Sequence, residues 1–207
     1  MGLTETFFLC QFEKETTRHS TPKFRSRSSS ASMTWSNCIE IGLEKGIESF
    51  DKYTLWALNY AAVANIAQFG GRYREEPIYV GNHRPPHFKE VPNEMDRFFS
   101  VIHENWTVFE QPTLLAAYAL WRLNWIHPFV EGNGRTARAA CYYLICIRQR
   151  QLLPGKKIVP ERIRENRSPY YAALQAADRA WDLGNFDVSE LEKYLARLLT
   201  AQLADAL

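Results

Sequence analysis

The stretch His127-Pro-Phe-Val-Glu-Gly-Asn-Gly-Arg-Thr-Ala-Arg138 separates two apolar runs, at residues 114–126 and 139–147. It contains one imidazole, one carboxylate, two glycines around an asparagine, and two arginines. Such side chains do not suit a hydrophobic core. They are typical of a junction between two buried helices at which an anion binds. We therefore expect this stretch to join the central helices and to carry the chemistry of the protein.

Glycines and arginines define the anion site that this junction predicts. Gly132 and Gly134 flank Asn133 where the second helix should begin, so the exposed N–H groups of a helix start are open to a phosphate. A tight inter-helix turn is the alternative explanation for the glycines alone. Arg135 and Arg138 share one helix face. Cations near a helix start cost about 0.3–1 kcal/mol each, and a polyphosphate would reverse that cost. Pairing with nearby carboxylates is the alternative.

His127 and Glu131 are the remaining reactive groups of the junction. A carboxylate beside phosphates requires a cation, so Glu131 is a candidate Mg²⁺ ligand; a solvated ion pair is the alternative. A histidine that is neutral near pH 7 accepts a proton from a hydroxyl. His127 is therefore the candidate general base.

Composition limits the class of protein. The 207 residues, 14% of them aromatic and 46% hydrophobic, suit one globular domain with a loose tail. A formal charge of +2 is too balanced to favour nucleic acid as the partner. The four cysteines form no CxxC pair, which indicates a reduced, cytoplasmic setting, and no run is long enough to predict a membrane span.

Residues 1–34 differ from the remainder because they are basic and serine-rich. Such a segment buries too little apolar surface to order itself, so we expect a disordered tail. A targeting peptide and a basic arm for an anionic partner are the alternatives. Residues 35–207 should form the folded domain, with its core at about 50–181 followed by a C-terminal helix.

Periodicity predicts an all-α domain with one small β-hairpin. Ser36 is the predicted cap of the first helix, and further helices are expected at 52–69, 90–105, 112–125, 136–151 and 168–183, with a short helix or turn at 160–166. Ser189 starts a capping-box pattern. This last helix is amphipathic and packs either on the core or on a second copy, as in a homodimer. Ile78-Tyr79-Val80, followed by Gly81-Asn82, predicts the hairpin.

The junction resembles the signature of the Fic (Fic/Doc) family, HPFx[D/E]GNGRxxR, at every specified position. Gly71-Arg-Tyr-Arg74, Ile78-Tyr79-Val80 and Pro85-Pro86 are similar to the family's flap region. The resemblance covers about residues 50–181. It implies a helical bundle with a flap hairpin, in agreement with the periodicity.

The resemblance also implies an activity: transfer of AMP from ATP to a Ser, Thr or Tyr hydroxyl of a target protein, with Mg²⁺ as cofactor. His127 would be the base and Glu131 the Mg²⁺ ligand. Relatives transfer UMP, phosphocholine or phosphate, and a non-catalytic binding module is a further alternative. The kinase-like Doc branch carries Lys before its Arg, unlike this chain. The implied ATP-binding residues are Gly132, Asn133, Gly134, Arg135 and Arg138; the implied target-binding flap is Ile78, Tyr79, Val80 and Gly81; and Tyr170 and Tyr171 are candidates for the base pocket.

Glu40 is a candidate inhibitory residue. Many Fic proteins are restrained by a helix with the pattern [S/T]xxxE[G/N], and Ser36 to Glu40 matches its first five positions. Ile41 stands where Gly or Asn is expected. An ordinary charged helix residue is the alternative.

Overall fold

The computed structural model describes residues 34–64, 66, 70–81 and 83–206. The predicted tail therefore lies almost wholly outside the described residues. Within them the chain is helical, and the all-α prediction is confirmed. The α-helices are α1 (Trp35–Lys45), α2 (Lys52–Val63), α3 (Val91–Asn105), α4 (Pro112–Ile126), α5 (Asn133–Gln149), α6 (Val159–Glu165), α7 (Arg167–Asp182) and α8 (Ser189–Ala204). Short 3₁₀ turns cover Gly46–Ser49 and Phe88–Glu90.

Helices α4 and α5 form the centre of the fold. Eleven of the 15 residues of α4 and 12 of the 17 residues of α5 are buried. A helix that is apolar on nearly all sides must be covered on nearly all sides, as the sequence of α4 predicts. Residues 127–132 connect the two helices, so the polar junction lies at one end of the hydrophobic core.

The other helices cover this central pair. Helix α1 buries Cys38, Ile39 and Gly42, and its Trp35 ring meets Tyr142 of α5 at 6.0 Å. Helix α8 is tied to the core by Gln202, which is fully buried. Its side chain bonds to the Val159 backbone and to the Tyr142 hydroxyl, both at 2.9 Å. The last helix therefore packs on the core of its own chain.

Several helix boundaries differ from the predictions for local reasons. Thr34 rather than Ser36 caps α1, because its hydroxyl accepts from the Asn37 N–H. Helix α2 ends at Val63 instead of reaching residue 69; residues 65 and 67–69 lie outside the described part. The capping box predicted at Ser189 is wrong, since α8 begins after Val188 without a side-chain cap.

The predicted β-hairpin is also wrong: the described residues between 70 and 90 contain no strand. Val80 and His83 form one isolated antiparallel bridge, with N–O distances of 2.9 and 3.3 Å. Proline lacks an N–H donor, and Pro77, Pro85 and Pro86 lie on both sides of this bridge. The pairing therefore cannot extend. We keep the name flap for residues 78–81 and 83.

Among the described helices, none combines the length and apolar character that crossing a bilayer requires.

Candidate active site

Helix α4 ends at His127, whose backbone is in the left-handed region with φ 52° and ψ 60°. This conformation costs a non-glycine residue roughly 1–2 kcal/mol, so its surroundings must hold it. The His127 N–H donates to Leu123 at 3.0 Å, and the His127 carbonyl accepts from the Arg74 Nε at 2.8 Å. The turn places the imidazole at the edge of the core instead of continuing the helix.

The hydrogen bonding of the imidazole assigns its tautomer. Nδ1 lies 3.0 Å from the Asn124 carbonyl oxygen, which can only accept, so Nδ1 carries the hydrogen and Nε2 keeps its lone pair. Burial lowers the pKa of His127 below its ordinary value; the Asn124 bond opposes this, and the nearby His83 and Arg74 add to it. His127 is therefore a neutral proton acceptor near pH 7.

Arg74 binds the carbonyl groups at the end of α4. It is 3% exposed, and its guanidinium donates to the carbonyls of His127, Pro86, Ile126 and Glu76 at 2.5–3.4 Å. The backbone N–H of Arg74 donates to the Pro128 carbonyl at 2.8 Å. The last carbonyls of a helix lack partners within the helix, and a cation suits this negative end. Arg74 thus fixes the loop that follows His127.

Gly132 lies just before the first residue of α5 and has a left-handed conformation, with φ 80° and ψ 9°. The adjacent backbone is held by Asn59, which is 1% exposed. The Asn59 amide donates to the Glu131 carbonyl at 2.9 Å and to the Thr136 hydroxyl at 3.0 Å, and its oxygen accepts from the Gly71 N–H. The first N–H groups of α5 have no acceptor within the helix, so they are available to an anion.

Asn133 contributes to this loop in a way that the motif alone does not reveal. Its side chain is 4% exposed, and its oxygen accepts from the Phe129 N–H at 2.9 Å. Its amide nitrogen donates back to the Phe129 carbonyl at 2.7 Å. Both ends of the side chain are thus used within the loop, and Asn133 can meet an anion through its backbone.

Positive charge concentrates beside this helix start. The pKa of the Arg138 guanidinium is lowered, first by burial and then by the nearby Arg167 and Arg135 charges. Tyr170 and Tyr171 act in the opposite direction. Arg135, Arg138 and Arg167 form the arginine cluster near this helix start. Arg167 was missed at the sequence level. Its signal was a cation at the first residue of α7, where the helix dipole disfavours it.

Glu131 is exposed and adjoins the same loop. Its backbone carbonyl is held by Asn59, while its carboxylate contributes charge near His127. The described residues contain no group of three or more His, Cys, Asp or Glu side chains that could hold a metal together. One carboxylate fits Mg²⁺ only if phosphate oxygens and waters supply the remaining ligands.

A cleft of ≈ 730 Å³ opens beside His127. Its walls come from the flap, from the last turns of α4 and from one face of α7. Val80 and Gly81 of the predicted flap set line it, whereas Ile78 and Tyr79 do not. Tyr171 also lines it and is 50% exposed, but Tyr170 is buried, with its hydroxyl 3.0 Å from the Asn124 amide nitrogen.

The structure does not bring Glu40 to this site. Glu40 is exposed on α1. The buried face of α1 meets α5 at Tyr143 and Ile147, through Gly42. Those residues lie two to four turns beyond the start of α5, where the arginines cluster.

Residues 49–145 match the model of the Fic/DOC family. The chain contains a Fic/DOC family domain. Among its relatives are two proteins named protein adenylyltransferase Fic. The one from Drosophila persimilis is 36% identical over 109 residues and the one from Drosophila mojavensis is 38% identical over 114 residues. Each alignment covers 53% of this chain but 20% of the relative, so the chain spans about one fifth of their length.

Solved Fic structures share the fold at low sequence identity. A Fic domain containing signaling protein from Bacteroides thetaiotaomicron has a TM-score of 0.64 at 20% identity, covering 99% of this chain and 79% of that one. Fic-1 from C. elegans has a TM-score of 0.62 at 23% identity, covering 98% and 62%. The family match ends within α5, so the α7 residues at the site, Arg167 and Tyr171, lie beyond it.

Proposed function

We propose that this Fic domain is a protein adenylyltransferase, which transfers AMP from ATP to a Ser, Thr or Tyr hydroxyl of a target protein. The observation that carries the proposal is the orientation of His127. Its Nδ1 hydrogen is engaged by the Asn124 carbonyl, and the residue lines the cleft and begins the anion loop, residues 127–132, which leads to the start of α5. A binding loop needs no such base, whereas a transferase does.

The proposed transfer replaces one bond to the α-phosphorus by another. The target hydroxyl oxygen forms a bond to the α-phosphorus, and the bond from that phosphorus to the oxygen bridging the β-phosphate breaks. The hydroxyl proton passes to His127 Nε2, and pyrophosphate leaves. Catalysis of this kind depends mainly on positioning and charge stabilisation.

The electropositive cluster supports a polyphosphate substrate. The backbone N–H groups at Gly132, Asn133 and Gly134 would hold one phosphate, and Arg135, Arg138 and Arg167 would neutralise the others. Because Arg138 is partly buried near other cations, an anion that pairs with it relieves repulsion already present in the protein. Glu131 would hold Mg²⁺, which when bound shields the phosphate charge from the attacking oxygen.

The remaining cleft supports separate places for the base and for the target. Tyr171 and Leu174 on α7 offer an aromatic and an apolar surface for a nucleobase. Val80 and Gly81 approach the cleft from the flap and would contact an extended target segment. The flap contains a single β-bridge, between Val80 and His83. Its backbone would therefore bind the target segment from a turn instead of from a strand.

The test compares the wild type with His127→Ala and Arg138→Ala. Purified chain is incubated with Mg²⁺, a cell lysate and each of the four ribonucleoside triphosphates labelled at the α-phosphate, and protein-bound label is counted. Binding of the same nucleotides is titrated in parallel. We expect His127→Ala to abolish labelling and to retain ATP affinity, because the base contacts the attacking hydroxyl. Arg138→Ala should weaken ATP binding roughly 10-fold or more, the loss expected for one charge-assisted pair.

Each failure has a defined meaning. Undiminished labelling by His127→Ala removes that residue from its role as base. Labelling that prefers UTP keeps the fold assignment but replaces AMP as the transferred group. Nucleotide binding without any labelling, by the wild type, favours a binding module.

A further inference from the structure

The carbonyl end of α4 is satisfied by side chains from one distant segment. Trp125 accepts from the His83 Nε2 at 2.7 Å, and Ile126 and His127 accept from Arg74. The carbonyl just before these, that of Asn124, accepts from the His127 ring. Four successive carbonyls, from Asn124 to His127, thus bind the base, the flap and Arg74 in turn.

His83 belongs to the flap and is held by three contacts. Its backbone bonds to Val80 in both directions, and its ring lies 5.9 Å from the Trp125 ring at a tilt of 51°. Its Nε2 must donate, because the Trp125 carbonyl can only accept. His83 therefore joins the turn to the helix that carries the base.

The remainder of the flap has little else to hold it. Tyr79 is 78% exposed, and nothing lies within 4 Å of the position that a Cβ on Gly81 would take. Arg74 binds the chain at Glu76 and Pro86, on either side of the flap. Among the described residues 77–81 and 83–85, the hydrogen bond of the His83 side chain is the one that reaches a helix.

The phosphate-binding groups do not depend on this contact. Asn59 holds the Glu131 carbonyl next to Gly132, the Asn133 side chain binds Phe129, and Arg138 lies near Tyr170 and Arg167. Loss of the His83 bond would therefore free the flap wall of the cleft and leave the nucleotide side in place.

We infer that His83 is a positioning residue, whose imidazole latches the flap to α4 and sets the place of the target segment relative to His127. This inference rests on the proposed transfer to a protein hydroxyl. The flap and the base are connected through adjacent residues of α4. The Trp125 carbonyl binds the His83 ring, and the Asn124 carbonyl binds the His127 ring.

The test uses three substitutions on the full chain. His83→Phe keeps a ring against Trp125 and removes the donor, and His83→Gln restores an N–H donor near the position of Nε2. His87→Phe is the matched control, because His87 is an exposed histidine that caps the adjacent 3₁₀ turn. Protein labelling from α-labelled ATP is measured against lysate protein concentration and, separately, against ATP concentration. Hydrogen exchange of the Val80 and His83 amides is followed without nucleotide.

For His83→Phe we expect the half-saturating lysate concentration to rise roughly 5- to 10-fold, as loss of one hydrogen bond gives. The half-saturating ATP concentration should stay at the wild-type value. Both amides should exchange faster in His83→Phe, and His83→Gln should restore both readouts. His87→Phe should resemble the wild type in each.

Two results overturn the inference: an equal rise in the half-saturating ATP concentration, or unchanged amide exchange in His83→Phe. A His83→Gln variant as weak as His83→Phe also overturns it, because the donor is then not the cause. If the wild type labels no protein, the proposed transfer fails, while amide exchange still decides whether His83 holds the flap.

Discussion

Substitution of Gly132 by alanine should damage both stability and the anion loop. An added Cβ would lie 2.5 Å from Val63 Cγ1 and 3.3 Å from Asn59 Nδ2, and the backbone has φ +80°. The left-handed conformation costs alanine roughly 1–2 kcal/mol. Carbon atoms pack at about 3.5–4.0 Å, so Val63 or the loop must move by about 1 Å, and overpacking of this kind costs about 1–3 kcal/mol.

We therefore expect Gly132→Ala to lower the free energy of unfolding by about 2–5 kcal/mol, the sum of these two terms. Gly184→Ala is the matched control, because Gly184 has φ +76° and nothing within 4 Å of its Cβ position. It should lose only the conformational term. In a Val63→Ala background, which removes the clashing methyl, the loss in free energy of unfolding caused by Gly132→Ala should decrease to the loss caused by Gly184→Ala.

Urea unfolding of these four variants and the wild type measures the difference directly. ATP binding is titrated on the same samples, because any shift of Gly132 displaces the Asn59 bond to Glu131. Equal losses for Gly132→Ala and Gly184→Ala would refute the role given to the Val63 contact. A Val63→Ala background that gives no relief would refute it as well.

Three further predictions follow from the site. Because the pKa of His127 is lowered in the folded chain, the unfolded chain takes up a proton at this residue first as the pH falls. The free energy of unfolding should therefore decrease as the pH drops below about 6.5. Urea unfolding at several pH values should show a smaller decrease for His127→Gln than for the wild type, and equal decreases would contradict the assignment. Arg74→Lys should cost about 2–4 kcal/mol, since one ammonium cannot reach the carbonyls that the guanidinium binds and leaves some of them buried without a donor; thermal unfolding measures this, with Arg72→Lys as the control. Glu40→Gly should leave protein labelling at the wild-type rate, because Glu40 is exposed away from the arginine cluster; a marked gain would restore self-inhibition as an explanation.

The sequence predicted the elements whose causes are local. Pro112 begins α4 as expected, and the apolar surface of α4 identified the central helix. The glycines around Asn133 lie at the start of α5, as their conformational freedom indicated. These features depend on residues within one turn of each other, which periodicity and capping rules capture.

The rest depends on contacts between distant residues. Arg74 and His83 bind carbonyls 42 to 53 positions away, and nothing in their neighbours indicates that destination. The hairpin prediction failed because the flanking prolines lack N–H donors, which outweighs the β-prone side chains at Ile78 to Val80. Arg167 joins the arginine cluster because the fold brings the first residue of α7 near Arg138 of α5.

The brace between Asn133 and Phe129 has a consequence for chemical ageing. Asn133-Gly134 is the one Asn-Gly pair in the sequence, and such pairs deamidate when the glycine nitrogen attacks the asparagine side chain. Here both ends of that side chain are bound to Phe129, and the glycine lies within a helix, so the attacking geometry is withheld. Mass spectrometry of the peptide after long storage should find aspartate accumulating in urea but not in the native protein. The fold thus protects Asn133 from deamidation.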